Sequence, residues 1–278
     1  MKTTRRKAVP KLHAKFIKRA IPALQKDFRL LGVSIGGSWL REGLDEYSDL
    51  DFVVVVRNED YDQVLKERPG IAAKLGDLLS CFSGEHVGVP YLYICLYGPP
   101  LIHVDLKFMS LERFPKRVED PEVLWEREGL LTKALENVPA HQPKIELQWV
   151  EDRFWTWVHY LATKVGRGEL YDVIGGLNDL REIVFTPLAM QLDQRWIQGV
   201  RRVELYQPLL AREMRKTLAA HNTASCGKAI KASIAIYRDL RKRADTGTLK
   251  RRSEAERLSI QYLDQVVKKT RPKKLQKS

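Results

Sequence analysis

Apolar and polar positions change period partway along the chain. Leu12, Phe16, Ala20, Leu24 and Phe28 recur at helical spacing, and Pro22 within that run predicts a kink or a restart. "LLGVSIGG" is a short apolar run ended by glycines, which predicts a strand entering a turn. Ser38 to Gly43 reads as a short helix or turn, and Asp49 to Val56 as a second strand. Residues 60–80 return to helical periodicity through Tyr61, Val64, Leu65, Ile71, Leu75 and Leu78, with an interruption expected at "ERPG", 67–70. "YLYICLYG" and "LIHVDLKFM" predict two more strands joined by a proline-containing turn, making four strands by residue 110.

From Val150 onward the period is helical throughout. Val150, Phe154, Trp157, Val158, Leu161 and Val165 line one face, and "GRGEL" supplies a stop. Further helices fit 172–195, 199–220, 224–243 and 253–269, the last opening on Ser253 and Glu256 in a capping-box pattern, with Leu258, Tyr262, Leu263, Val266 and Val267 expected to pack. Prolines cluster between 112 and 148, which predicts a boundary. The expected organisation is α+β: a mixed sheet with flanking helices over 1–112, a linker region over 113–148, a helical bundle over 149–270 and a basic, disordered tail over 271–278.

Composition narrows the class. The net charge is +13, yet residues 1–26 hold nine Lys/Arg and no acid, and residues 241–278 hold thirteen against four acids. The stretch between is therefore acidic, at −5, so a nucleic-acid partner finds its charge complement only at the termini. No apolar run reaches the length of a membrane span and no signal segment follows the basic start, so a cytoplasmic address and no membrane partner are expected. Cys81, Cys95 and Cys226 are scattered, which predicts neither a disulfide framework nor a zinc site.

The chemistry concentrates in "IGGSWLREGLDEYSDLDFVVVV", Ile35 to Val56. Asp49 and Asp51 stand two residues apart at the mouth of an apolar strand, so they point to one face. Asp105, in "IHVDLKF", is the lone acid of a later strand, with His103 and Lys107 on its own face. If the two strands are neighbours, three carboxylates converge, and their repulsion calls for a hard cation; oxygen-only ligands favour Mg²⁺ or Mn²⁺. Gly36 and Gly37 allow close backbone approach, and Ser38 with the amides beyond it suits phosphate oxygens.

A Gly-Ser turn, an acid-x-acid strand and a third acid on a later strand resemble the nucleotidyltransferase superfamily, whose fold is that of the DNA polymerase beta palm. Within it the chain is similar to the adenylyltransferases of aminoglycosides and lincosamides, through Gly37, Ser38, Asp49, Asp51 and Asp105 over residues 30–110 and more loosely through "FWTWVHYLATKVGRGEL". The resemblance implies two Mg²⁺ ions on Asp49 and Asp51, with Asp105 binding one of them and a candidate to accept the proton of the attacking hydroxyl. It implies an NTP substrate, ATP first, contacted by Gly37, Ser38, Arg41 and Lys164. It implies transfer of NMP to a hydroxyl of a small acceptor, an aminoglycoside or lincosamide, with release of pyrophosphate and with the helical domain walling the acceptor cleft. An RNA- or tRNA-modifying nucleotidyltransferase, and a regulatory toxin–antitoxin protein of the same fold, are the alternative readings. The acceptor's identity and the oligomeric state are not encoded in any of these features.

Overall fold

A computed structural model describes residues 8–40, 44–195 and 199–270. The chain divides into two compact units, Met1–Gln142 and Pro143–Ser278.

The first unit is built on a six-stranded mixed sheet. Its elements are α1 (Lys11–Gln25), β1 (Leu30–Ile35), a 3₁₀ turn (Gly37–Trp39), β2 (Leu50–Val56), α2 (Tyr61–Ala73), β3 (Leu78–Gly84), β4 (Val89–Tyr97), β5 (Ile102–Ser110), β6 (Glu122–Glu126) and α3 (Leu130–Leu135). The spatial order is β3-β4-β5-β2-β1-β6. β2 and β5 run parallel, and every other pair is antiparallel. One face is sealed by α1 and α2. Phe16, Ala20 and Leu24 of α1 and Val64, Ile71 and Ala72 of α2 are buried in one cluster with Phe52, Val54, Val104 and Leu106, each large side chain contributing roughly 1.5–3 kcal/mol. On the opposite face a small cluster of Leu31, Val55, Phe114 and Leu131 covers one end only.

Several expectations are corrected here. α1 passes through Pro22 without a break, and Phe28 lies beyond its end, 64% exposed beneath the Arg57 guanidinium. α2 continues through Pro69 and Gly70 because buried Val64 precedes them and buried Ile71 and Ala72 follow; packing on both sides outweighs the local penalty. Leu78 opens a strand, β3, instead of closing the helix. The stretch expected as a linker holds β6, which pairs with β1, and α3, whose Leu131 is fully buried. "EVLWE" is short and directly follows Pro121, so it does not announce a strand; pairing with β1 makes it one.

The second unit is all helical: α4 (Leu147–Arg167), α5 (Leu170–Asp179), a π-type segment (Leu180–Phe185), α6 (Thr186–Leu192), α7 (Val203–Tyr206), α8 (Pro208–Met214), α9 (Thr223–Ala244) and α10 (Ser253–Lys269). α4 ends at Gly168, which adopts the left-handed conformation of a C-cap at φ +76°. The helices expected over 172–195 and 199–220 are each subdivided. The first widens into the π-type segment ahead of Pro187, and Pro208 opens α8 as its first residue. The capping box at α10 does not form. The helix is preceded by Arg252 without a side-chain cap, and Glu256 turns inward to Arg238 and Arg241. Leu263 and Val266 are buried and Tyr262 and Val267 partly so, whereas Leu258 is exposed. Among the described residues no helix is long and apolar enough to cross a membrane. The tail over 271–278 lies outside the described residues.

Candidate functional site

β2 alternates over its first half. Leu50, Phe52 and Val54 enter the core, which leaves Asp51 and Val53 on the face not covered by α1 and α2. Parallel pairing sets Asp51 directly beside Asp105 of β5. Asp49 precedes β2 in a loop organised by Asp45, whose carboxylate accepts the Ser48 hydroxyl (2.9 Å) and the Tyr47 amide (3.0 Å). The same loop is tied to α1 where buried His13 meets the Ser48 carbonyl at 2.6 Å. As a result one ligand oxygen from each of Asp49, Asp51 and Asp105 lies within 4.8 Å of the others, and all three residues are half-buried. Ionised carboxylates at such spacing repel by roughly 3–4 kcal/mol per pair at an effective dielectric near 20. The chemistry of this donor set, oxygen only and anionic, fits a hard divalent cation.

The glycine turn is shaped around the same carboxylate. Gly37 has φ +61°, and a Cβ there would lie 1.9 Å from Asp51 Oδ2, so no other residue fits without displacing the acid. The Gly36 amide donates to the Asp51 carbonyl at 3.0 Å, fixing the turn to β2. Ser38 Oγ is buried with no hydrogen-bond partner among the described residues, an arrangement that costs free energy unless a ligand meets it.

Two residues beside the site escaped the sequence reading. Glu119 accepts the Gly37 amide at 2.7 Å from 82 residues away, and Glu122 accepts the Trp39 indole N–H at 2.9 Å, pinning the turn from its other side. Both lie in or next to β6, in the stretch expected as a linker, and nothing local marks them. Lys107 follows Asp105 on the same strand face; burial lowers its pKa, against the pull of Asp51 and Glu119. His103 Nε2 meets Asp105 Oδ1 at 2.9 Å. That hydrogen bond raises the histidine's pKa, burial opposes it, and the negative charges of Asp105, Asp49 and Asp51 reinforce it.

The two other residues implied at the nucleotide have different outcomes. Arg41 lies outside the described residues. Lys164 belongs to α4 of the second unit, where its ammonium pairs with Glu169 and with Asp172 at 2.8 Å and lies 5.2 Å from the Tyr160 ring centroid. The side-chain hydrogen bonds to Asp172 and Glu169 raise its pKa.

No protein-family model matches the chain, and no curated protein matches it. Solved structures do. An aminoglycoside 6-adenyltransferase from Bacillus subtilis is 16% identical, covers 93% of this chain and 99% of its own, and has a TM-score of 0.41. A nucleotidyltransferase-like protein from Exiguobacterium sibiricum is 14% identical over 93% of this chain and 80% of its own, with a TM-score of 0.36. A spectinomycin adenyltransferase from Enterococcus faecialis, solved with ATP and spectinomycin, is 13% identical over 92% of this chain and 99% of its own, with a TM-score of 0.27. The chain is thus similar, at low identity, to solved structures described as adenyltransferases and as nucleotidyltransferase-like.

Proposed function

We propose that the chain is a metal-dependent nucleotidyltransferase that moves AMP from ATP onto a hydroxyl of a small acceptor and releases pyrophosphate. The observation that carries this reading is the convergence of Asp49, Asp51 and Asp105 beside a glycine turn with an unpartnered buried hydroxyl. Asp49, Asp51 and Asp105 would together hold Mg²⁺ or Mn²⁺. When bound, the cation supplies Lewis-acid activation of the hydroxyl and charge neutralisation on the leaving group. The Gly37 amide and Ser38 Oγ hold phosphate oxygens, with Glu119 giving up the amide to the incoming anion. The acceptor oxygen forms a bond to the α-phosphorus as the bond to the β-phosphate oxygen breaks, and pyrophosphate leaves with that electron pair. Asp105 takes the hydroxyl proton, and His103 orients its carboxylate through Oδ1. The acceptor classes implied by the resemblance are aminoglycosides and lincosamides.

Calorimetry of ATP binding tests the reading. Affinity should appear in Mg²⁺ and vanish in EDTA, since three carboxylates without a cation repel a polyphosphate. Equal affinity in both would remove the site's basis.

A further inference from the structure

The strand registers that build the triad also lay out a line across the sheet. Phe82 of β3 pairs with Ile94 of β4, Ile94 with Asp105 of β5, and Asp105 with Asp51 of β2. Asp51 in turn receives the Gly36 amide, so the phosphate turn closes the line at its far end. The neighbouring row reads Ser80, Leu96, His103. One side of the triad is therefore polar backbone and hydroxyl, and the other is apolar. Phe82 is 50% exposed and Leu96 37%, with Ile94 half-buried between them and Asp105. The Phe82 ring lies 5.6 Å from the His86 ring, which limits its freedom.

In-line displacement places the entering and leaving oxygens on opposite sides of the phosphorus. In the proposed function pyrophosphate leaves toward Gly36–Ser38, so the acceptor hydroxyl enters from the β4–β3 side. We infer that Phe82, Ile94 and Leu96 form the acceptor subsite of the sheet, and that it takes a hydroxyl compound with an apolar alkyl or ring face in preference to a polyamine. The inference rests on the nucleotidyltransferase reading and adds to it the location and chemistry of the acceptor. An apolar face gains from covering three exposed or half-exposed apolar side chains.

The test is calorimetric and does not depend on turnover. The full chain is loaded with Mg²⁺ and α,β-methylene-ATP, then titrated with lincomycin, an alkyl-bearing amide with sugar hydroxyls, and separately with kanamycin, a polyamine. Lincomycin should bind more tightly, and Phe82→Ser and Leu96→Ser should each weaken it about tenfold, the loss expected for one uncovered apolar side chain. Both positions are solvent-exposed, so folding is not at stake. Phe28→Ser, exposed in the turn before β1, should leave binding unchanged, and analogue loading should be the same in all four proteins. Absent lincomycin binding, tighter kanamycin binding, or affinity indifferent to both serine variants would overturn the inference while leaving the parent reading intact. Failure of the analogue to load in Mg²⁺ would sink both, and the first titration would show it.

Discussion

Each unit of this protein gathers carboxylates, and the two gatherings are opposites. In the helical unit Glu151 is fully buried and completely satisfied. It accepts from the Tyr237 hydroxyl (2.6 Å), the Arg241 guanidinium (3.1 Å), the Arg252 amide (2.9 Å) and the Trp155 indole (3.2 Å). Arg241 bridges on to Glu256 at 2.9 Å, and Arg238 and Arg251 add to that second acid. In the sheet unit Asp49, Asp51 and Asp105 turn ligand oxygens toward one another while remaining half-exposed. The first cluster has its cations built in and can only hold helices together. The second has like charges collected where solvent and ligands reach them, a geometry that folding alone does not reward. Acids enclosed by arginines are thus structural, whereas half-exposed acids turned toward one another are a candidate ligand site.

The sharpest way to break this contrast is to neutralise one acid in each cluster. Asp51→Asn should cut nucleotidyl transfer on the order of a thousandfold or more, since metal electrostatics and positioning carry such chemistry. Its melting temperature should hold or rise as repulsion is relieved. Transfer assays paired with thermal unfolding check both halves, and a fully active variant would end the proposed role of Asp51. Glu151→Ala should do the reverse. Orphaning the Tyr237, Trp155 and Arg252 donors and part of Arg241's compensation should destabilise the helical unit by about 3–5 kcal/mol, read by denaturant unfolding, while Mg²⁺-dependent ATP binding to the folded fraction persists.

A smaller effect is expected from Gly37→Ala. The new Cβ meets the Asp51 carboxylate and the backbone stays at positive φ, so about 1–2 kcal/mol of strain should appear as lost stability or as a displaced Asp51. Titration with Mg²⁺ and ATP would register the displacement as weakened binding. The mildest perturbation is pH. Burial pushes Glu256 up, but hydrogen bonds from Arg241 and Arg238 outweigh it and hold the carboxyl below its ordinary value. A depressed carboxylate pKa stabilises the fold above the unfolded-state value, about 4.3, and that contribution fades as pH falls through the folded value. Helical-unit stability should therefore decline only below about pH 4.3, and Glu256→Gln should flatten that acid limb.

Much of this organisation is legible along the chain. Period-two alternation in Asp49–Val56 puts both acids on one face, isolation of Asp105 among apolar strand residues singles it out, and the change of period at Val150 separates sheet from helices, because side-chain period is a local consequence of backbone geometry. What lies out of reach depends on partners distant in sequence. Only the parallel register of β2 with β5 sets Asp51 beside Asp105, and only β6, a strand by virtue of its partner, carries Glu122 to Trp39. Glu256 reads as a helix cap in one dimension and becomes a buried ion-pair partner in three. Local sequence dictates which way a residue points along its own element. Tertiary structure decides what it points at, since an acid beside a cation from 90 residues away, as Glu151 is beside Arg241, becomes mortar, and an acid beside two other acids becomes part of a candidate metal site.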